Sequence, residues 1–575
     1  MRETRRSNKD GSVVSYLQLA HNERHRVTGS PVAKVIHNFG RADKVDREAL
    51  ARLVSSISRF LDPAEAAAAT EGCDVEIVDS RRFGGAYVLD ELWHRLGIAK
   101  ALMDAAGRRR LSGEVVERVL FALVAQRCLE PASKLACVSW VQERVAISSC
   151  PAFDDQAAYA AMDLLLDALP DIAKGIFDRT ANLLNLSCDV ISVDTSSTYF
   201  EVDVADEEIE LATATQAETQ AEGTKQPVVP DELASRQFSK HSKDHRHDLP
   251  QVVIAMAVTA EGVPIRCWTF PGTTSDQLVI RRVKDDLGSW MLNRVLWVTD
   301  SGFNSETNRA YLSRGGEHYI VCEKLRSASN DAKKALARPG RYHLVEGNLS
   351  VKEVRVGDGA RSQRFVVCVN PEAKARDEIV RANLVAYLEK RIAGSDEWSR
   401  GRRDELVGEL RATPGLARFC RRTEDHRLRV DKAAIAKDAH FDGKWLIATS
   451  DDTLTPTDLA KAYKHLYQVE HGWRDMKGAL RLRPVFHHRE DRIRSHIQLC
   501  WLGLLLIRVI ENATGNTWRN VRNELDRMHL VTLGTSDGRI AKRSVTTKAQ
   551  QKILAALEIR EPAQILDYEL PTAAE

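Results

Sequence analysis

The chain has 575 residues, and its 83 Lys and Arg residues nearly balance its 81 Asp and Glu residues, which leaves a net charge of +2 at pH 7. This balance excludes a uniformly basic nucleic-acid coat, so any affinity for DNA must come from local patches. The length predicts several domains.

The cysteines and the apolar runs indicate a cytoplasmic protein. The ten cysteines are scattered without CxxC pairs or zinc spacing, which predicts reduced thiols. The N-terminal segment Met1–Arg6 has no apolar run of the kind that directs secretion. The longest apolar run, Leu499–Ile507, is too short to span a bilayer and predicts a core helix. We therefore expect no membrane partner.

Residues 1–70 predict a small α+β domain at the N-terminus. The segments Ser12–Leu17 and Ala33–Phe39 predict a small pair of strands. The segment Asp46–Phe60 predicts a helix that packs with them.

Residues 75–185 predict a mainly helical region. Apolar residues recur at positions i, i+3 and i+4 over Val115–Leu129 and Ala157–Leu186, which is the spacing of one helix face. The pattern predicts that this region is helical, but it predicts no chemical function for it.

Two apolar runs further along the chain each end in an aspartate. One ends at Asp194 and the other at Asp300, and small polar residues follow both. Short runs rich in Val and Ile are typical of buried strands in an α/β sheet, and ligands in such sheets bind beyond the strand ends. An aspartate at a strand end is also a common turn or cap residue, so neither position alone identifies a site. Further strands are predicted at Val252–Val258, Ile265–Phe270 and Tyr319–Glu323.

An acidic segment and a basic segment lie between these strands. The segment Asp203–Gln237 is acidic, without periodicity, and predicts a surface insertion. The segment that follows it, Lys240–His247, is densely cationic and includes Lys243 and Arg246. Its histidines leave a metal site open, but no cysteine or ordered carboxylate shell accompanies them, which favours contact with a DNA backbone.

One helical segment places an acid between two phosphate-binding side chains. Tyr463, Glu470 and Lys477 are each seven residues apart, which is nearly two helical turns and predicts that they share one face. The alternative is a solvated helix face with an ion pair at i+7. Basic residues including Arg474 and Arg481 lie within and after this segment and are candidate backbone contacts.

Asp194, Asp300 and Glu470 together supply carboxylates from two strands and one helix. Oxygen ligands alone are suited to Mg²⁺, with Mn²⁺ as a substitute, rather than to zinc or copper. Two such ions can activate a water or a 3′-hydroxyl and stabilise the leaving oxygen in phosphoryl transfer. The three acids therefore predict chemistry on nucleic-acid strands.

The ordered set of motifs resembles the DDE insertion-sequence transposases of the insertion-sequence-four superfamily, which carry a Tyr-Arg-Glu-Lys signature around the catalytic glutamate. The resemblance covers roughly residues 185–510. The matching elements are Asp194–Glu201, Thr299–Phe303, Tyr463 with Glu470 and Lys477, Lys240–Gln251 and Pro271–Asp276. Two positions depart from the pattern: Leu466 stands where the signature has Arg, and Ser301 stands where a basic residue often follows the second aspartate.

The resemblance implies an α/β fold with an RNase H-like catalytic core. Residues 186–325 are expected to form its first half, and residues 451–515 its second half with the catalytic helix. A partly β insertion subdomain is expected at 326–450 and a helical tail at 516–575. By resemblance, the helical region 75–185 binds the ends of the element and pairs subunits.

The resemblance also implies the activity. A DNA transposase of this kind binds the terminal inverted repeats of its insertion sequence and carries out metal-dependent strand cleavage and strand transfer by cut-and-paste. Asp194, Asp300 and Glu470 are then catalytic residues that hold two Mg²⁺ ions, and Tyr463 and Lys477 contact phosphates of the transposon end. The expected partners are double-stranded DNA and a second subunit in a homodimeric synaptic complex, associated with the nucleoid.

Two other readings stay open. One is an RNase H-like nuclease that cuts branched or hybrid nucleic acid, against which the long insertion and the spacing of Tyr463, Glu470 and Lys477 argue. The other is a catalytically inactive DNA-binding relative, for which Leu466 and Ser301 are the hints.

Overall fold

A computed structural model describes residues 2–7, 13–24, 31–46, 50, 76–184, 186, 188–202, 205–206, 235–240, 242–290, 294–359, 362–413, 415–535 and 538–569. Contacts divide the chain into two units. One unit comprises Met1–Val78, Thr532–Ala541 and Asp567–Glu575, and the other comprises Asp79–Val531 and Lys542–Leu566. Most of the predicted helix at 46–60 and most of the acidic insertion at 203–237 lie outside the described residues.

The N-terminal residues form an antiparallel sheet in the order β1-β2-β3. Its strands are β1 (Arg2–Ser7), β2 (Val13–Arg24) and β3 (Pro31–Arg41). The two strands predicted at 12–17 and 33–39 are confirmed in β2 and β3, and both run further than the predicted segments.

A helical region follows strand β4 (Glu76–Arg82). Its helices are α1 (Gly84–Arg95), α2 (Ile98–Arg108), α3 (Gly113–Leu129), α4 (Lys134–Glu143), α5 (Asp155–Asp167) and α6 (Leu169–Leu183). Helix α3 is buried on all sides from Glu117 to Leu129, so it is the central helix of this region. Ser133 and Asp154 begin α4 and α5 because their side chains accept hydrogen bonds from the backbone N–H groups of Ala136 and Ala157.

The main sheet lies at the centre of the larger unit. Its first strands are β5 (Val190–Tyr199), β6 (Gln251–Thr259), β7 (Pro264–Pro271), β8 (Leu296–Thr299) and β9 (His318–Cys322), with helices α7 (Asp276–Gly288) and α8 (Glu306–Leu312) in the connections. Strand β5 pairs antiparallel with β6 and parallel with β8, and β8 pairs parallel with β9. The predicted strands of this region are confirmed, and the mixed α/β class follows from them.

The residues predicted as an insertion contribute to two different parts of the structure. They form α9 (Asn330–Ala337), β10 (His343–Glu346), β11 (Leu349–Val356), β12 (Gln363–Val369), α10 (Pro371–Ile392), α11 (Arg400–Ala412), β13 (Cys420–Arg422), β14 (Leu428–Val430), α12 (Lys432–Ala439) and β15 (Lys444–Thr449). Strands β10, β11, β12 and β15 extend the main sheet, whose order in the described residues is β10-β11-β12-β15-β9-β8-β5-β6-β7. Helices α10 and α11 pack instead around a small separate core that contains Leu388, Leu406 and Phe419.

The predicted catalytic helix is two helices, α13 (Pro456–Lys464) and α14 (Leu466–Lys477). The prediction of one continuous helix was wrong, because the backbone tightens at His465: the N–H of Gln468 donates to the carbonyl oxygen of His465, three residues back, at 2.9 Å. Tyr463 therefore lies on α13, whereas Glu470 and Lys477 lie on α14.

The C-terminal part contains strands as well as helices. Helix α15 (Glu490–Thr514) is long and apolar enough to cross a membrane, but 94% of its most apolar window is buried inside the protein, as expected for a core helix. After it come α16 (Trp518–Leu525), β16 (His529–Thr535), β17 (Gly538–Arg543), α17 (Lys548–Ala556) and β18 (Ile565–Glu569). These strands form a sheet in the order β18-β17-β16-β4, so the region predicted as a helical tail is mixed.

Candidate active site

Asp194 and Asp300 lie side by side on adjacent strands of the main sheet. Strand β5 pairs parallel with β8, and Val193 is the register partner of Thr299. Asp194 is the next residue along β5, and Asp300 directly follows the last residue of β8, so the two are at the same level, about 5 Å apart across the sheet. The side chain of Asp300 caps a short turn by accepting a hydrogen bond from the N–H of Ser301 at 2.5 Å. The structure thus brings these two predicted site residues together.

Asp194 lies in an environment that disfavours its charged form. The pKa of Asp194 is raised to about 6: burial is the main cause and the negative charges of Asp300 and Asp276 add to it, whereas the Lys243 ammonium acts in the opposite direction. The Lys243 Nζ atom is 3.6 Å from Asp194 Oδ1 and 3.4 Å from Asp276 Oδ2. An ammonium group therefore offsets the repulsion within a cluster of carboxylates.

Asp276 is a member of this cluster that sequence reasoning did not assign. It is the first residue of α7, and its Oδ1 accepts a hydrogen bond from the Thr195 hydroxyl at 2.5 Å. A Cβ atom built on Gly302 would lie 2.5 Å from Asp276 Oδ2, so the glycine lets the turn after Asp300 approach this carboxylate. The signal in the sequence was the Pro271–Asp276 segment, whose final residue was noted without a role.

Lys243 lies within the same cluster. Its Nζ donates to the carbonyl oxygen of Thr195 at 2.8 Å and also to the Thr195 hydroxyl, and its backbone N–H donates to Ser197 Oγ at 3.1 Å. The sequence predicted a DNA-backbone contact for this lysine. In the structure its ammonium is a counter-ion of the acids and is still 37% exposed.

Glu470 lies on α14, which packs against the same part of the sheet. Two residues beyond it, a Cβ atom on Gly472 would lie 2.7 Å from Met256 Cε, and Met256 is the β6 register partner of Asp194. The Glu470 side chain is exposed. Within the described part of the chain, no group of three His, Cys, Asp or Glu side chains is close enough to hold a metal ion. The structure therefore places Glu470 near the aspartates without joining it to them.

Tyr463 is close enough to Glu470 and Asp300 for their negative charges to affect its pKa. Burial raises the pKa of its phenol, and the charges of Cys322, Asp300 and Glu470 raise it further. A side-chain hydrogen bond joins Tyr463 to Cys322, the last residue of β9. The hydroxyl is thus half-buried and anchored within the protein.

Lys477 is held by an acid from the cationic segment. Its Nζ is 2.8 Å from Asp244 Oδ1, and the Arg483 guanidinium approaches the same oxygen at 2.9 Å. Asp244 is 7% exposed, and its buried Oδ2 has no hydrogen-bond partner among the residues that the structure describes. Burial lowers the pKa of Lys477, whereas the hydrogen bond to Asp244 raises it. Asp244 and Arg483 were not among the predicted site residues, although both occur in segments that the sequence marked as basic.

The remaining predicted DNA contacts lie on the surface around this cluster. Arg246 pairs with Asp248 at 2.8 Å, and its guanidinium lies 5.0 Å from the Tyr199 ring, which Arg483 also approaches at 5.3 Å. Arg474 is exposed and lies 6.0 Å from the Tyr467 ring. Arg481 is exposed and has a left-handed backbone, with φ of 46°.

Two family models match the sequence. The IS1634 family transposase N-terminal domain matches residues 1–69, and the transposase DDE domain matches residues 215–506. The chain belongs to the DDE transposase family. It is a DDE transposase enzyme that acts on DNA. The DDE match begins after Asp194, so the case for this aspartate rests on its strand register with Asp300.

Comparisons with individual proteins add little to the family assignment. No curated protein matches the transposase. A solved structure similar to it is the cryo-EM structure of the piggyBac transposase synaptic complex with hairpin DNA, which covers 77% of this chain and 70% of that chain at 8% identity with a TM-score of 0.30.

DDE transposase domains use divalent metal ions, and the donor set of this transposase fits such an ion. Asp194, Asp300 and Glu470 offer oxygen ligands only, which suits a hard divalent cation. Burial is the main cause of the raised pKa of Asp194, and repulsion from Asp300 and Asp276 adds to it; a cation among the carboxylates would favour the charged form against both.

Gly272 of the DDE transposase is expected to tolerate no side chain. Its N–H donates to the carbonyl oxygen of Ser235 at 3.1 Å. A Cβ atom here would clash with the carbonyl oxygen of Gln251 and lie 2.7 Å from that of Gln237. Because these are backbone atoms, we expect Gly272→Ala to lower the free energy of unfolding by about 2 kcal/mol, measured by urea denaturation.

Gly288→Ala serves as the matched control, because no atom of the described residues lies within 4 Å of a Cβ atom built on Gly288. Equal stability of the Gly272→Ala variant and the wild-type protein would contradict the close approach of these backbones.

Proposed function

We propose that this transposase binds the terminal inverted repeats of its own insertion sequence and carries out cut-and-paste transposition. The observation that supports this most is the placement of Asp194 and Asp300 at the same level on adjacent parallel strands, with the Glu470 helix against the same sheet. The strand order β7-β6-β5-β8-β9, antiparallel over β7-β6-β5 and parallel over β5-β8-β9, supports an RNase H-like core.

Asp194, Asp300 and Glu470 are the proposed ligands of two Mg²⁺ ions, for which Mn²⁺ can substitute. When bound, such ions supply activation of a water or 3′-hydroxyl and stabilisation of the leaving oxygen. Lys243 neutralises part of the carboxylate charge before a metal binds, since its ammonium is within 4 Å of both Asp194 and Asp276. Asp276 also accepts a hydrogen bond from the Thr195 hydroxyl, which holds Thr195 in place beside Asp194.

The proposed DNA contacts surround the carboxylates. Exposed Arg474 and Arg481 are available to phosphates, and Arg246 presents its guanidinium beside Tyr199. Tyr463, Lys243 and Lys477 lie closer to the acids, where they would contact the phosphates next to the cleaved bond. We propose that the protein acts on double-stranded DNA as a homodimer in the synaptic complex, in the cytoplasm at the nucleoid.

The decisive test is cleavage of a labelled duplex that carries the repeat flanking the gene, with Mg²⁺ and with EDTA. Nicking at the repeat boundary in Mg²⁺, lost in EDTA, is the expected result. Cleavage of branched substrates without regard to the repeat would replace the proposal with a structure-specific nuclease. Tight binding of the repeat without cleavage in Mg²⁺ or Mn²⁺ would replace it with an inactive DNA-binding relative.

A further inference from the structure

A cavity lined by basic side chains lies beside the candidate active site. Its volume is about 350 Å³, and it lies between α3, α4, α15 and the segment that follows α14. Tyr159 and Phe486 contribute aromatic rings, and the Phe486 side chain is 76% exposed. The basic residues that line it are Arg127, Lys134, Arg481, Arg483, His487 and His496.

The deepest of these side chains are Lys134 and His496, which are 5% and 2% exposed. Lys134 Nζ is 2.7 Å from His496 Nδ1, and His496 Nε2 is 3.1 Å from the carbonyl oxygen of Leu482. Because only Nε2–H can donate to a carbonyl, Nδ1 is the acceptor and Lys134 is the donor. The imidazole is therefore neutral, and a positive charge on Lys134 has no counter-ion within this pair.

The cavity also lacks acidic groups among the described residues that line it. Arg127 is buried, and in the described part of the chain its guanidinium donates to the carbonyl oxygens of Ala132 and, at 3.4 Å, of Arg481. Elsewhere in the fold a buried arginine has carboxylate partners: Arg118 pairs with Asp90 at 2.9 Å and with Glu117 at 2.6 Å. Buried charges without partners are costly, so a cluster of this kind is built to receive an anion.

Arg483 connects the cavity with the candidate active site. It lines the cavity and also approaches Asp244 Oδ1 at 2.9 Å, the oxygen that holds Lys477. A ligand in the cavity would therefore lie next to the cations already proposed to contact DNA.

We propose that this cavity binds a phosphate group, contributed by the backbone of DNA, through Lys134, Arg127, Arg481 and Arg483. The exposed Phe486 ring at its edge offers a stacking surface for a neighbouring base. Phosphate binding follows from the cavity itself, whereas DNA as its source rests on the proposed function.

The test uses the full-length protein and measures its unfolding temperature in inorganic phosphate against chloride at equal ionic strength. Phosphate should raise the unfolding temperature of the wild-type protein, because it binds only the folded state. Lys134→Met should lose this response and yet be at least as stable as the wild type in chloride, because the variant removes a buried cation that has no counter-ion. An unchanged phosphate response in Lys134→Met overturns the proposal, and so does the absence of a response in the wild type.

Lys174→Met is the matched control, since Lys174 is half-buried on α6 and its acidic partner among the described residues is Asp178, at 2.6 Å. It should keep the full phosphate response. Arg481→Gln provides a second variant that removes an exposed guanidinium, and it should weaken the response without affecting folding.

A second experiment tests whether DNA is the source of the phosphate group. Binding of a duplex of arbitrary sequence is measured against salt concentration, and Lys134→Met should reduce the slope of log K against log salt by about one. An unchanged slope with a lost phosphate response would assign the cavity to free phosphate and overturn the DNA assignment. Neither experiment requires strand cleavage, so their outcome is independent of whether the protein transposes DNA.

The cavity also gives stability a defined pH dependence. Burial, with the charge of Arg127, lowers the pKa of Lys134 to about 7, whereas an unfolded lysine keeps a value near 10.5. Between these values the unfolded chain binds the proton that the folded protein lacks, so stability rises with pH through this window and is lost as pH falls towards 7. Other ionisable groups face Lys134: burial raises the pKa of the Cys137 and Cys500 thiols and lowers that of the His487 and His496 imidazoles. They are the same in the wild type and in Lys134→Met, so the comparison of the two proteins isolates the contribution of Lys134.

Lys134→Met should therefore show its greatest gain in stability over the wild type near pH 7 and a smaller gain at pH 10, measured by urea denaturation at both values. A gain that is the same at both pH values would contradict the lowered pKa of Lys134 in the folded protein.

Discussion

Asp300→Asn is expected to reduce strand cleavage by at least about a thousandfold while leaving binding of the terminal repeat unchanged. The amide has the shape of the carboxylate, and its oxygen can still accept the hydrogen bond from the Ser301 N–H, so the turn after β8 is retained. The negative charge is lost, however, and a neutral amide is a much weaker ligand for a divalent cation. Single-turnover cleavage of the labelled repeat in Mg²⁺, beside a gel-shift measurement of binding, separates the two effects.

Asp178→Asn is the matched control for this substitution, because Asp178 is an exposed acid on α6 that pairs only with Lys174, at 2.6 Å. It should cleave at the wild-type rate. An Asp300→Asn variant that still nicks the repeat would show that the site assignment is wrong, whereas loss of both cleavage and repeat binding would indicate a disrupted fold.

The two aspartates could be predicted from the sequence because their signal is local. A short apolar run ending in Asp and small polar residues marks the end of a buried strand, and Asp194 and Asp300 each have this signature. That the two runs lie next to each other follows from strand pairing, which the sequence does not encode locally. The parallel register of Val193 with Thr299 supplied that information.

No local sequence signal predicted the break between α13 and α14. Every residue around His465 is compatible with a helix, and the heptad spacing of Tyr463, Glu470 and Lys477 predicted one continuous face. In the structure His465 Nδ1 lies 3.0 Å from the carbonyl oxygen of Ala260, a residue more than two hundred positions away. A tertiary contact of this kind accompanies a local tightening that helix propensity does not predict.

Some basic residues that the sequence predicted only as DNA contacts also form ion pairs with acids from distant parts of the chain. Lys243 and Lys477 belong to segments rich in cations, so their positive charge was predicted to face DNA. Their acidic partners come from elsewhere: Asp194 and Asp276 for Lys243, and Asp244 for Lys477. Composition predicts whether a surface patch is positively or negatively charged, but the partners of its charged residues depend on the tertiary fold.

The pairing partners of the strands in the predicted insertion likewise could not be predicted from the sequence. The partly β character expected of residues 326–450 agrees with strands β10, β11 and β12. Their partners were not predictable, because alternation fixes which face of a strand is apolar and not the neighbour with which it pairs. In the structure β12 pairs with β15, and β15 pairs with β9, so these strands continue the sheet that carries Asp194 and Asp300.

Asp244→Asn is expected to lower the free energy of unfolding by about 3 kcal/mol. Asp244 is 7% exposed and accepts from both Lys477 and Arg483, so a neutral amide leaves two cations facing each other without a balancing charge. The estimate is at the low end for a broken buried pair because Arg483 is 31% exposed and water screens part of its charge. Urea denaturation near pH 7 measures the loss.

A double-mutant cycle with Lys477→Met shows whether the loss comes from the unpaired cations. Removing one of them should restore part of the stability, so Asp244→Asn combined with Lys477→Met should be less destabilised than the sum of the single variants, by about 1–2 kcal/mol. Asp248→Asn, in the same segment but exposed and paired with Arg246, should change stability little. Additive single effects would mean that Asp244 stabilises the loop through its shape alone. A positive coupling would instead establish that this carboxylate holds Lys477 and Arg483 together as one cationic unit between the candidate active site and the basic cavity.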